Sequence, residues 1–152
     1  MTSPAEIIKL AWQRLDEAEV LINNNKCDGA FYLAGYSVEL MLKAKICERL
    51  GIPNLFNDGD RNLNLIQGIS EVRKAVKTHN LFILLIFSGL KLDFDNEKAS
   101  NILLARTNSL LFTAWDENAR YKPCGHFKAT DVQKLITLLK DPKGILKWIE
   151  TN

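Results

Sequence analysis

A chain of 152 residues, 47% hydrophobic and 25% charged, has enough apolar material for one core, which argues against a disordered segment and predicts a single domain over residues 1–152. Its longest purely apolar run, residues 81–87, is far shorter than the roughly 20 residues that cross a bilayer, so no membrane span is expected. A net charge of +2 is too small to point to nucleic acid by itself.

Taken in chain order, the sequence is punctuated like a set of helices. Ser3-Pro4-Ala5-Glu6 is a capping box with proline at the first helical position. It opens a helix whose apolar residues Ile7, Ile8, Ala11, Leu15, Ala18 and Ile22 keep helical spacing. Asn23, Asn24 and Asn25 end it. Asp28 is the expected cap of a second helix running to Leu50, stopped by Gly51 and Pro53. So short a link predicts an antiparallel hairpin. The second helix is apolar around most of its circumference, the pattern of a helix in the middle of a bundle. Tyr32, Tyr36, Glu39 and Lys43 form one polar stripe along it.

Residues 54–62 read as a polar turn-rich loop. A weaker helix follows, with Leu63, Ile66, Ile69, Val72 and Val76 as its buried row, and Gly68 opposes it. Thr78-His79-Asn80 precedes an apolar helix over 81–88. Asp95 is the expected cap of another long helix reaching about Asn118, burying Ala99, Ile102, Leu103, Leu110 and Leu111 with Arg106 interrupting the row. Pro123 and Gly125 oppose any helix over 121–127. Thr130-Asp131-Val132-Gln133 reads as a second capping box, and Asp141-Pro142 opens a short last helix carrying Ile145, Trp148 and Ile149. No stretch alternates like a strand. The expected fold is an all-α, up-and-down bundle of five to seven helices.

Three widely separated cysteines (Cys27, Cys47, Cys124) and two histidines give no zinc-ligand spacing, so no metal and no cofactor are expected. The opening MTSPAEIIKL lacks the basic-then-apolar pattern of a secretory leader. A reducing, cytoplasmic setting with free thiols is the expectation. Charge is unevenly spread. Residues 119–152 hold seven Lys/Arg against three Asp/Glu, a net +4, leaving −2 over the first 118. The basic end suits either an anionic partner or ordinary solvated helix faces.

The segment AFYLAGYSVELMLKAKI (residues 30–46), the turn Thr78-His79-Asn80-Leu81, and Ala119-Arg120-Tyr121 after a helix together resemble a HEPN domain (higher eukaryotes and prokaryotes nucleotide-binding domain). The resemblance spans nearly the whole chain in order, with residues 54–77 reading as an insertion. It implies a bundle that pairs into a homodimer whose cleft takes a nucleotide or RNA. Some members are metal-independent ribonucleases, including toxins of toxin–antitoxin or defence systems, and others accompany a nucleotidyltransferase partner.

Catalytic members carry an arginine and a histidine four to six residues apart, and Arg120 and His126 here have five residues between them. Such a histidine can move a proton at a ribose 2′-hydroxyl or a leaving oxygen, while an arginine fork holds the phosphate. Pro123 and Gly125 keep the two off one rigid helical face, and Tyr121 stands where the family typically has a polar residue. The expected ligand-binding residues are Tyr36, Glu39, Lys43, His79, Tyr121 and Lys122. Each has a plainer role beside the functional one. His79 caps a helix or lines the cleft. Glu39 and Lys43 form an i, i+4 pair, or Glu39 anchors Arg120 beside Tyr36. Trp115, Tyr121 and Phe127 stack on a base or belong to the core.

Overall fold

The computed structural model describes residues 3–152, all of it helix, turn and loop. The elements in order are α1 (Pro4–Asn23), α2 (Cys27–Leu50), α3 (Arg61–Asn64), α4 (Ile69–Val76), α5 (Leu81–Phe87), α6 (Lys91–Glu97) and α7 (Ile102–Thr107). A π-helical segment (Asn108–Phe112) continues α7, and a 3₁₀ turn (Glu117–Tyr121) precedes α8 (Ala129–Lys140) and α9 (Ile145–Thr151). The architecture is the all-α bundle that the helical periodicity predicts.

α1 begins as its sequence prescribes. Ser3 Oγ accepts from the Glu6 amide at 3.3 Å, and Glu6 Oε2 accepts in return from the Ser3 amide at 3.0 Å. One face of the helix, Ile7, Ala11, Leu15, Ala18 and Ile22, is buried against α2. The α1–α2 hairpin is the most extensive helix pairing in the molecule, and α2 also meets α5, α8, α9 and the 3₁₀ turn. That position explains why fourteen of its residues are buried, among them the polar Ser37, Glu39 and Lys45.

The closest approach is at Gly35. A Cβ built there would lie 2.2–2.4 Å from the Trp115 indole ring, so only glycine admits the ring. With no side chain in the way, Trp115 Nε1 donates to the Tyr32 carbonyl at 3.1 Å and pins the segment before the 3₁₀ turn onto α2.

Several expected boundaries move, each for a local reason. Asp28 does not cap α2. The chain turns at Asn25 (φ 60°), the Lys26 amide reaches back to the Leu21 carbonyl, and the helix is already under way at Cys27. The expected box at Thr130 is absent because α8 starts two residues earlier, from a cap at Lys128 that makes no side-chain bond. The long helix from Asp95 is interrupted. Asp95 pairs with Lys91 and Lys98, and the chain turns over 98–101. Asn101 then restarts the helix by accepting from the Leu103 amide.

The buried row changes with the break. Leu104, Thr107, Leu111 and Phe112 are buried, whereas Ile102 is 60% exposed. Thr107, Ser109 and Thr113 each return a hydroxyl hydrogen bond to the carbonyl four residues back, which loosens a helix locally and coincides with the π segment. The weak helix over 63–76 divides into α3 and α4 around Gly68, burying Leu63, Ile69 and Val76 but leaving Ile66 and Val72 exposed. The last helix starts at Ile145 rather than at Pro142, since Asp141 Oδ1 accepts from the Lys143 amide in a turn.

Gly35→Ala forces the Trp115 ring to move. Overpacking of this kind costs about 1–3 kcal/mol, so urea denaturation of the variant should show that loss with an unchanged slope. Wild-type stability in Gly35→Ala would contradict the observed contact.

Candidate functional site

The polar stripe on α2 survives folding as a half-buried band. Tyr32 and Tyr36, one helical turn apart, lie with ring centroids at 6.2 Å and planes at 14°. Tyr32 also faces Trp115 at 6.1 Å. Arg120, from the 3₁₀ turn, sets its guanidinium 6.0 Å from the Tyr32 centroid and 4.9 Å from that of Tyr121, within cation–π range. Tyr121 itself is 71% exposed. Arg120, Tyr121, Tyr32 and Tyr36 thus form one continuous aromatic and cationic band. Lys122 follows it as an exposed lysine.

At the next turn along α2 sits Glu39, 1% exposed. A carboxylate so buried needs partners, and it has two. Lys43 Nζ donates to Oε1 at 2.6 Å, and His79 Nδ1 lies 3.1 Å and 3.0 Å from the two oxygens. Lys43 also stands 5.4 Å from the Phe56 ring centroid. His79 keeps half of its side chain exposed. It lines a cleft of about 420 Å³ with Asn80, Phe82, Trp115 and Glu117. The helix-capping role expected of this turn falls to its neighbour, since Asn80 Oδ1 accepts from the Phe82 and Ile83 amides.

The expected contact between Glu39 and Arg120 is not made. Seven residues of helix separate the Tyr32 level, where Arg120 rests, from Glu39, a rise of about 10 Å. Stacking on Tyr32 and Tyr121 holds the guanidinium at the far end of the stripe.

Tyr36 lies between the two ends. Burial chiefly, and then the Glu39 carboxylate, raise its phenol pKa above the ordinary 10.0.

Arg120 and His126 are held in separate settings. Arg120 belongs to the 3₁₀ turn, whereas His126 follows a tight turn closed by its amide on the Pro123 carbonyl at 3.0 Å. Gly125 takes φ 80° there, which breaks any common helical face. His126 packs edge-on against Phe127 with centroids at 4.8 Å, and Phe127 stacks on Phe31 at 3.9 Å. His126 lines a cavity of about 250 Å³ with Phe31, Leu110 and Phe127. Among the described residues no hydrogen bond or ring contact joins it to Arg120.

A residue not expected at the site organises this loop. Asp28, one turn before Tyr32, turns its carboxylate away from its own helix end and accepts from the Gly125 amide at 2.9 Å and the Phe127 amide at 3.3 Å. This latch fixes the segment that carries His126. Trp115 was likewise legible only as a core or stacking aromatic, and its contact with Gly35 makes it the wall between the tyrosine band and the His79 cleft. The signal was Gly35 itself, a glycine in the middle of an otherwise strong helix.

Among the described residues no cluster of three or more His, Cys, Asp or Glu side chains could hold a metal, and no helix is long and apolar enough to cross a membrane. The cysteines are unpaired, and burial raises the Cys47 thiol pKa to about 11. No family model matches the chain, and neither the curated proteins nor the solved structures provide a match.

Asp28→Ala should free the loop. Loss of two hydrogen bonds to a carboxylate predicts a destabilisation of about 1.5 kcal/mol and faster amide hydrogen exchange at Gly125 and Phe127, with α1 unchanged. For Tyr36, the raised folded pKa means its stabilising neutral form contributes fully below pH 10 and is lost as the pH rises through the folded value. Urea midpoints measured from pH 8 to 11 should therefore fall less steeply in Tyr36→Phe than in the wild-type protein.

Proposed function

We propose that this chain is a HEPN-type module that binds a nucleotide or a short stretch of RNA, with Tyr32, Tyr36, Arg120 and Tyr121 as its base-stacking and phosphate-holding band. The observation that carries this reading is the placing of the Arg120 guanidinium within cation–π range of both the exposed Tyr121 ring and Tyr32, whose ring neighbours Tyr36. Aromatic faces accept any base, and a guanidinium fork beside them matches a phosphate. Lys122 adds a second positive charge next to the band, and Lys43 and His79 lie at its other end beside Glu39. Most of these residues come from the three segments that resemble the family.

On this reading the module works as a homodimer, in a toxin–antitoxin or defence setting or beside a nucleotidyltransferase. The basic C-terminal part supports attraction of an anionic ligand. Binding is the reading favoured over hydrolysis, because Arg120 and His126 lie in different surroundings and share no contact in the protomer.

The test is fluorescence anisotropy with a labelled single-stranded RNA and with a labelled adenine nucleotide. Arg120→Ala and Tyr121→Ala, both at exposed positions, should each weaken binding about tenfold, the loss of one stack or one charge-assisted contact. Light scattering on the same samples should report a dimer. No binding by the wild-type protein, or wild-type affinity in both variants, would overturn the reading. Cleavage of the RNA in EDTA that disappears in the Arg120→Ala/His126→Ala double variant would replace it with the ribonuclease reading.

A further inference from the structure

A groove lies away from the tyrosine band, between α7 with its π segment on one wall and α8 on the other. It has a volume of about 850 Å³. Its floor is aliphatic, made by Ile102, Ala105, Leu110 and Leu138, and Ile102 is left 60% exposed. No aromatic side chain lines it. Each wall carries one exposed cation, Arg106 from α7 and Lys134 from α8, and neither forms an ion pair among the described residues. Asp131 lies at the same groove as its one acid.

The dimensions suit a helix. The α7–π wall from Ile102 to Leu110 is about 12 Å long, slightly over two helical turns. Two adjacent helices with an aliphatic floor between them offer the ridges and grooves that a third helix packs into. A single-stranded nucleic acid would find charges here but no ring in the groove itself, and Phe31 and Phe127 in the adjoining cavity are already stacked on each other.

We propose that this groove docks an amphipathic, acidic helix of a partner protein. Apolar residues of that helix at i, i+3 or i+4, and i+7 fill the aliphatic floor. Its acids flank that stripe and pair with Arg106 and Lys134, and a basic residue opposite Asp131 sets its direction. The exposed Ile102 and the two unpaired cations are then both accounted for by one ligand.

The test is selection from a displayed library of amphipathic helices against the full chain, in parallel with an Arg106→Glu/Lys134→Glu double variant whose thermal unfolding matches the wild-type protein. The expected result is enrichment of helices with acids beside an apolar stripe. The selected helix, made as a labelled peptide, should bind the double variant about tenfold or more weakly, and Ile102→Asp should also weaken it. A peptide with its acids changed to lysine should lose binding to the wild-type protein and regain it on the double variant. No enrichment, enrichment of basic helices, or undiminished binding by the double variant would overturn the proposal. Displacement of the peptide by a single-stranded oligonucleotide would assign the groove to nucleic acid and overturn it as well. Arg120→Ala and Tyr121→Ala should leave peptide binding unchanged, which keeps this outcome separate from that of the tyrosine band.

Discussion

α2 is enclosed on nearly every side, and a helix in that position cannot carry a polar atom inward without a partner for it. This constraint orders much of the rest of the molecule. Ser37 resolves it locally, by donating to the Ala34 carbonyl at 2.7 Å. Lys45 reaches Glu48 at 2.8 Å and the Glu150 carbonyl at 3.4 Å, which ties α9 to α2. Glu39 draws in Lys43 and, from forty residues away in the chain, His79. The turn before α5 is therefore held to α2 by a buried carboxylate as well as by apolar packing.

The same helix supplies the small residues that let other segments come close. Gly35 admits the Trp115 ring, whose indole then bonds the Tyr32 carbonyl. Asp28 holds the loop around Gly125. Three separate contacts along about three turns of α2 thus place the loop with His126, the 3₁₀ turn with Arg120 and the turn with His79 around one helix. Energetically they are unlike. The Trp115 seat depends on shape, and any larger residue at 35 collides with it. The Asp28 latch is electrostatic and partly solvated, so it sets loop position more than global stability. Glu39 is deeply buried, and the cost of leaving its charge alone makes its two partners interdependent.

The two polar regions around the bundle differ in chemistry. The tyrosine band is aromatic and carries its charge on a stacked guanidinium. The α7–α8 groove is largely aliphatic, with one cation on each wall. Their separation follows from helix geometry: the band runs along an edge of α2, whereas α7 and α8 pack beside it and open their own furrow.

The sequence by itself determined the helical class, the α1–α2 hairpin, the buried girth of α2 and the stripe from Tyr32 to Lys43, because all of these follow from a 3.6-residue period and local caps. It also located the break expected over 121–127, which the structure places between the 3₁₀ turn ending at Tyr121 and α8 beginning at Ala129, since proline and glycine act through the backbone of their own residues. What only the tertiary structure decided was which partner each polar group took. Asp28 looked like a helix cap from its neighbours in sequence and became a loop latch through contacts 97 and 99 residues away. Glu39 was expected to meet Arg120 and instead met His79, because the contacts with Tyr32 and Tyr121 held the arginine about two turns away. The 95–118 segment carried a plausible helical pattern, yet Asn101 capped a new helix within it and bonded the Lys143 carbonyl across the fold. Periodicity reports which face a helix buries, but the partner of a charge depends on what the rest of the chain brings to it.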